Sequence, residues 1–200
     1  MSDNLNTLSL VFPVYFNEDS LPELFKQLNV FEVQLKSRNT DLEIIFVDDG
    51  SLDNSFQKLI EFKQTRPATK VVKLTRNFGA VAATKTGFKF VTGDCFAVVA
   101  ADLQDPIEKV LEMHLEWIKG AKYVVCRRLS RKDHFISGLF SKFYYSLIRF
   151  LIASDYPSGG FDLMLMDKSI LPYVRDSNKN INTHLYAHWL GFSPTILEYA

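Results

Sequence analysis

Between Leu8 and Arg128 the chain changes its hydrophobic period again and again, from short unbroken apolar runs to stripes at helical spacing and back. Leu8–Tyr15 reads as a strand. After it, Leu21, Leu24, Leu28, Phe31 and Leu35 recur as on one face of a helix capped near Asp19 or Ser20. Leu42–Val47 predicts a second strand, followed from about Asp53 by a helix with Phe56, Leu59, Ile60 and Lys63 in its stripe. Val71–Leu74 predicts a third strand, then a small-residue helix through Ala80, Ala83 and Gly87. Phe96–Ala101 predicts a fourth. Pro106 suits the first turn of a helix carrying Ile107, Val110, Met113 and Trp117, and Tyr123–Cys126 predicts a fifth strand. Strands alternating with helices of this length dictate an α/β fold, a Rossmann-like, mostly parallel sheet flanked by helices on both faces. At 200 residues the chain has the length of a single domain.

In such sheets ligands bind beyond the carboxyl ends of the strands, and the polar motifs fall there. Tyr15 and Glu18 follow the first strand, Asp48 and Asp49 the second, Arg76 the third, Asp102 the fourth and Arg128 the fifth. Asp102 and Gln104 offer two hard oxygen ligands on one turn, a donor set that suits Mg²⁺ or Mn²⁺ better than zinc. Asp48 and Asp49 are placed to accept hydrogen bonds from a base N–H or from ribose hydroxyls. Strand-end aspartates also cap helices, a role open to Asp53 and Asp105; the coincidence of three acidic strand ends favours a ligand site. Residues 127–132 hold four cations in six positions, which suits a clamp for pyrophosphate or an anionic acceptor.

Several functions are excluded. Lys plus Arg and Asp plus Glu number 23 each, so the chain lacks the basic excess of a nucleic-acid binder. It has no G-x-G-x-x-G or P-loop motif and no G-x-S-x-G elbow. His184 and His188 lie four apart with no glutamate after the first, so they read as one helix face and not as a zinc-protease motif. Cys95 and Cys126 sit in apolar runs and read as buried, reduced thiols. The N-terminus is not a secretory signal, and no apolar run reaches the roughly 18 residues of a spanning helix, which points to the cytoplasm. Residues 134–153 are rich in Phe and Tyr but broken by Ser137, Ser141, Lys142, Ser146 and Arg149. With cations flanking it, this stretch predicts an interfacial helix at a membrane surface. Phe161–Met166 and Ile196–Ala200 predict two further strands.

Five motifs occur in order: Pro13-Val14-Tyr15-Phe16-Asn17-Glu18, Val47-Asp48-Asp49-Gly50-Ser51, Arg76-Asn77-Phe78-Gly79, Ala101-Asp102-Leu103-Gln104-Asp105-Pro106 and Gly159-Gly160-Phe161-Asp162. In them, over about residues 8–200, the chain resembles glycosyltransferase family 2, and within it the polyprenyl-phosphate sugar transferases similar to dolichol-phosphate mannose synthase. The resemblance implies a GT-A fold, with residues 1–130 as the nucleotide-sugar half and 131–200 as the acceptor half. It implies inverting transfer from a nucleotide-diphosphate sugar to a polyprenyl phosphate or a glycan, for cell-envelope glycan synthesis. It further implies Mg²⁺ or Mn²⁺ as cofactor and a place at the inner face of the cytoplasmic membrane, and it leaves room for a homo-oligomer. Pro13, Tyr15, Glu18, Asp48, Asp49 and Arg76 would line the nucleotide pocket. Asp102 and Gln104 would hold the metal on the diphosphate, and Arg128 would meet the diphosphate or the acceptor phosphate.

Asp162 would be the general base for a hydroxyl acceptor, which is hardly ionised at neutral pH, or a positioning residue for a lipid phosphate, which is already anionic. Three departures stand out. Relatives often carry Asp-x-Asp where this chain has Ala100-Ala101-Asp102; Phe16 is an extra residue before Asn17-Glu18; and relatives continue into a basic segment and membrane helices, so the chain reads as truncated. A non-catalytic nucleotide-sugar-binding module is the alternative.

Overall fold

The computed structural model describes residues 5–128, 161, 163–178 and 183–199. The alternation is realised as β1 (Asn6–Val14), α1 (Leu21–Lys36), β2 (Thr40–Asp48), α2 (Ser55–Thr65), β3 (Lys70–Lys73), α3 (Ala80–Phe88), β4 (Cys95–Val98), α4 (Ile107–Ile118) and β5 (Tyr123–Arg128). Then follow β6 (Leu163–Asp167), a 3₁₀ turn at Lys168–Ile170, α5 (Leu171–Asp176), α6 (Thr183–Trp189) and β7 (Thr195–Tyr199).

The strands form one sheet in the order β3-β2-β1-β4-β6-β5-β7. β1 runs parallel to β2 in the register Leu8↔Leu42 to Val14↔Asp48 and parallel to β4 in the register Leu8↔Cys95 to Val11↔Val98. β6 alone runs antiparallel, between β4 and β5; Val98 faces Met164 and Cys126 faces Leu163. β7 adds a parallel edge beside β5.

Side chains alternate across the pleat, so β1 feeds two cores. Leu8, Leu10, Phe12 and Val14 pack under α1, α2 and α4, whereas Val11, with Ile45 and Val47 of β2, packs under α3, α5 and α6. All five residues of the α1 stripe are buried. α3 lies close to the sheet because it presents small residues: a Cβ on Gly87 would stand 2.3 Å from Val11 Cγ1.

Three local expectations change. α2 buries Ser55, Leu59 and Phe62, not Phe56 and Lys63. Phe62 stacks on Phe25 at 4.2 Å, while the Phe56 ring carries the Lys73 ammonium at 4.3 Å. α4 buries His114 beside Ile107, Val110 and Met113, and Trp117 turns partly outward to donate its indole N–H to Asp167. β4 ends at Val98, because the Ala100 N–H turns away from the ladder to the Asp105 carboxylate at 3.3 Å.

Candidate active site

At the carboxyl edge of β1 and β4 the loops enclose a cleft of about 290 Å³, walled by Pro13, Tyr15, Asn17, Asp49, Gly79, Ala100 and Asp102 among others. Its shape comes from hydrogen bonds between loops that lie far apart in the chain. After β1 the backbone N–H of Tyr15 donates to Asn17 Oδ1 at 2.8 Å, that of Phe16 to Ser51 Oγ at 3.1 Å and that of Asn17 to Ser55 Oγ at 2.8 Å. The Ser20 hydroxyl donates to the Ala101 carbonyl at 2.7 Å and ties this loop to the one after β4.

Asp49 lies on the cleft wall, and its two oxygens accept the N–H groups of Phe78 and Gly79, both at 2.8 Å. The carboxylate thereby fixes the turn that opens α3. Gly50 makes the approach feasible: its φ is +74°, and a Cβ there would stand 2.6 Å from the backbone carbon of Arg76. Asp48, by contrast, is fully buried, and neither of its oxygens has a hydrogen-bond partner. Burial raises its pKa, against the pull of the nearby Ser51 hydroxyl and N–H.

Asp102 is exposed on the cleft wall; one oxygen accepts the Gln104 N–H at 3.1 Å across Leu103, whose φ is +65°. Asp102 brings its carboxylate to the cleft wall, whereas Gln104, two residues on, is exposed and does not line the cleft. Among the described residues no three His, Cys, Asp or Glu side chains gather as a metal cage. Two hard oxygen donors fit a divalent cation that takes its remaining ligands from phosphate oxygens, the usual coordination of Mg²⁺ in nucleotide sites.

Of the residues singled out in the sequence, Pro13, Tyr15, Asp49 and Asp102 converge on the cleft. Glu18 does not line it. Its carboxylate accepts the Asn54 N–H at 2.8 Å and its carbonyl accepts the Lys58 ammonium at 2.8 Å, so it staples the β1–α1 loop to α2. Arg76 is exposed beside the cleft, its guanidinium over the Phe78 ring at 4.2 Å. Arg128 ends β5 opposite Tyr199, and neighbouring Arg127 is ion-paired to Glu198. The Arg128 side chain, Asp162, the cations at 131–132 and the stretch 134–153 lie outside the described residues. Cys95 and Cys126 are buried, as expected, and burial pushes the Cys95 thiol up. The cleft residues that pattern reading overlooked are Asn17, Asn77 and Gly79. The available signal was the propensity of Asn to fold its side chain onto the backbone two residues on, as Asn77 Oδ1 does with the Gly79 N–H at 2.8 Å. No helix among the described residues is long and apolar enough to cross a membrane.

A mostly parallel sheet with an acidic cleft at the carboxyl edge of its first and fourth strands is the arrangement of the GT-A transferases. The model of "Glycosyl transferase family 2" matches residues 9–174, and the chain belongs to that family. It is 33% identical over 193 residues to the uncharacterized glycosyltransferase YkcC of Bacillus subtilis, covering 96% of this chain and 59% of that protein. It is 28% identical to the bactoprenol glucosyl transferase of Shigella phage SfX, covering 96% and 63%. The chain thus spans about three-fifths of the length of these relatives. Among solved structures it resembles the mannosyltransferase PcManGT of Pyrobaculum calidifontis in complex with GDP-Man and Mn²⁺, with a TM-score of 0.64 at 17% identity over 96% of this chain and 54% of that one. It also resembles glucosyl-3-phosphoglycerate synthase of Mycobacterium tuberculosis with Mn²⁺, UDP-Glc and phosphoglyceric acid, with a TM-score of 0.58 at 17% identity over 82% and 58%. At such identities the likeness is one of fold, and the fold is GT-A.

Proposed function

We propose that the protein transfers a sugar, with inversion, from a nucleoside-diphosphate sugar to a polyprenyl phosphate, as a peripheral enzyme at the inner face of the cytoplasmic membrane. The observation that carries this reading is the cleft itself, with an aromatic side chain, a doubly anchored carboxylate and the partly free carboxylate of Asp102 on one wall. The Tyr15 ring offers a face on which a base stacks. Asp49 is held rigid by two N–H donors and keeps a lone pair on each oxygen for a base N–H or a ribose hydroxyl. Asp102 and Gln104 would hold Mg²⁺ or Mn²⁺, which supplies charge neutralisation at the diphosphate when bound. Arg128, at the end of β5, would share that task through its planar fork.

The acceptor class rests on chemistry and on a relative. A phosphate oxygen is anionic at neutral pH and needs no general base, so positioning dominates. In that case Asp162 orients the acceptor, and the sugar–phosphate bond forms on one face of the sugar as the bond to the diphosphate breaks on the other. The name of the phage relative, a bactoprenol glucosyl transferase, supports a lipid-linked acceptor. The stretch 134–153, lying on the bilayer, would bring that lipid to the strand ends. A nucleotide-sugar-binding module without turnover is favoured by Ala100, which stands on the cleft wall where relatives often have a second acid.

Thermal shift with UDP and GDP, with and without Mn²⁺, tests the site. A metal-dependent rise in melting temperature is expected in the parent by mass action. In Asp102→Ala that rise should vanish while the ligand-free melting temperature stays put. An equal rise in the variant overturns the assignment. Turnover of sugar nucleotide then separates transferase from binding module.

A further inference from the structure

Phe16 is held where an aromatic residue seldom sits. Its φ is +53°, in the left-handed region that disfavours a side chain with a Cβ and is rare for a bulky one. The ring gains little from burial there, since the residue remains 50% exposed. Glycine or asparagine would satisfy the same backbone at lower cost, and the two loop hydrogen bonds around it come from backbone N–H groups that any residue would supply. What the ring does contact is Tyr15, at a centroid distance of 4.6 Å and an interplanar angle of 90°. That is the perpendicular geometry aromatic pairs prefer. Tyr15 is itself 45% exposed and stands on the cleft wall.

We infer that Phe16 is a positioning residue, whose strained backbone and exposed ring are retained because the ring fixes the orientation of the Tyr15 ring before ligand arrives. Tyr15 is a side chain at the mouth of an open cleft, and without a neighbour its ring would have to be ordered on binding. Holding it beforehand removes that cost from the affinity for a nucleoside diphosphate. Strain stored beside a site in return for preorganisation is a recognised pattern. This inference rests on the nucleotide reading of the cleft given above.

The test uses Phe16→Gly and Phe16→Tyr with UDP and GDP in the presence of Mn²⁺, followed by calorimetric titration, alongside melting temperatures of the ligand-free proteins. Phe16→Gly relieves the left-handed backbone and should melt at or above the parent. Its nucleotide affinity should nevertheless fall about two- to tenfold, the range set by one aromatic pair. Phe16→Tyr should restore the affinity. A merely structural role would lower affinity and melting temperature together in Phe16→Gly, and that outcome overturns the inference, as does unchanged affinity. A parent that binds neither nucleotide overturns the reading of the cleft itself, which separates the two failures.

Discussion

The two edges of the sheet treat their carboxylates in opposite ways. Toward the amino ends of the parallel strands, Glu43 accepts hydrogen bonds from the Ser9 hydroxyl at 2.6 Å, the Lys70 ammonium at 2.5 Å, and the Thr92 N–H and hydroxyl at 2.9 and 2.6 Å. Burial pushes its pKa up, but these bonds outweigh burial and hold it below the ordinary value. Asp167, at the far end of β6, is likewise held at about 2: burial opposes, and Ser169, Trp117 and Lys122 prevail. At the carboxyl edge, Asp48 is buried without a partner and its pKa is raised, while Phe16 and Leu103 adopt left-handed backbone. One edge spends these carboxylates on the fold; the other buries Asp48 without a hydrogen-bond partner and leaves Asp102 exposed on the cleft wall.

The sharpest way to break this contrast is at Glu43. Glu43→Ala leaves the buried Ser9 hydroxyl without its acceptor and removes the shared partner of Lys70 and Thr92, and should cost about 3 kcal/mol, read as a lower denaturant midpoint. The nucleotide affinity of the folded fraction should not change.

His114 is the exception on α4. It is buried, its two ring nitrogens have no partner, and burial, helped by Arg38, lowers its pKa from 6.5 to about 4. The unfolded chain therefore binds a proton between pH 6.5 and 4 that the folded chain refuses. Stability should fall over that window as pH drops, by about 2–3 kcal/mol from this group. His114→Phe, which keeps a ring against Trp117, should flatten the slope between pH 6.5 and 4 in chemical denaturation.

The smallest effect has the opposite sign from the first. Because the folded pKa of Asp48 lies above its unfolded one, the penalty of its buried charge is fully present above the folded value and is relieved as pH falls through it. Asp48→Asn should therefore stabilise the protein at neutral pH by about 1 kcal/mol. A loss of stability there would mean that the two edges do not differ as described.

The alternation of strands and helices was legible because buried stripes such as Leu21–Leu35 of α1 need only local periodicity. Choosing between Phe56 and Phe62 for the core face of α2 was not legible: both fit a helical stripe, and stacking on Phe25 decided. The same holds within the candidate site. Pro13, Tyr15, Asp49 and Asp102 were visible as strand-end residues, and the cleft collects them. That Glu18 is bound to the Asn54 N–H, and Asp49 to the N–H groups of Phe78 and Gly79, leaves no mark in the sequence. Any residue but proline supplies such a donor, and the partners lie about 30 positions away. The reversed direction of β6 was hidden too, since a buried strand has the same apolar pattern in either sense.

That reversal has a consequence for how such a protein can diversify. β5 leaves the sheet at Arg128 and the chain re-enters at Leu163 on the neighbouring strand, with Cys126 already paired to Leu163. Exit and entry are therefore adjacent, at the edge that carries the cleft. For a flexible chain anchored at two adjacent points, the entropy of closure grows only with the logarithm of its length, about 0.6 kcal/mol for each doubling. Insertions and replacements between the two anchor points leave the ladder untouched. The ladder thus serves as a fixed socket, whose pairing does not depend on how long a chain runs between its two anchor points.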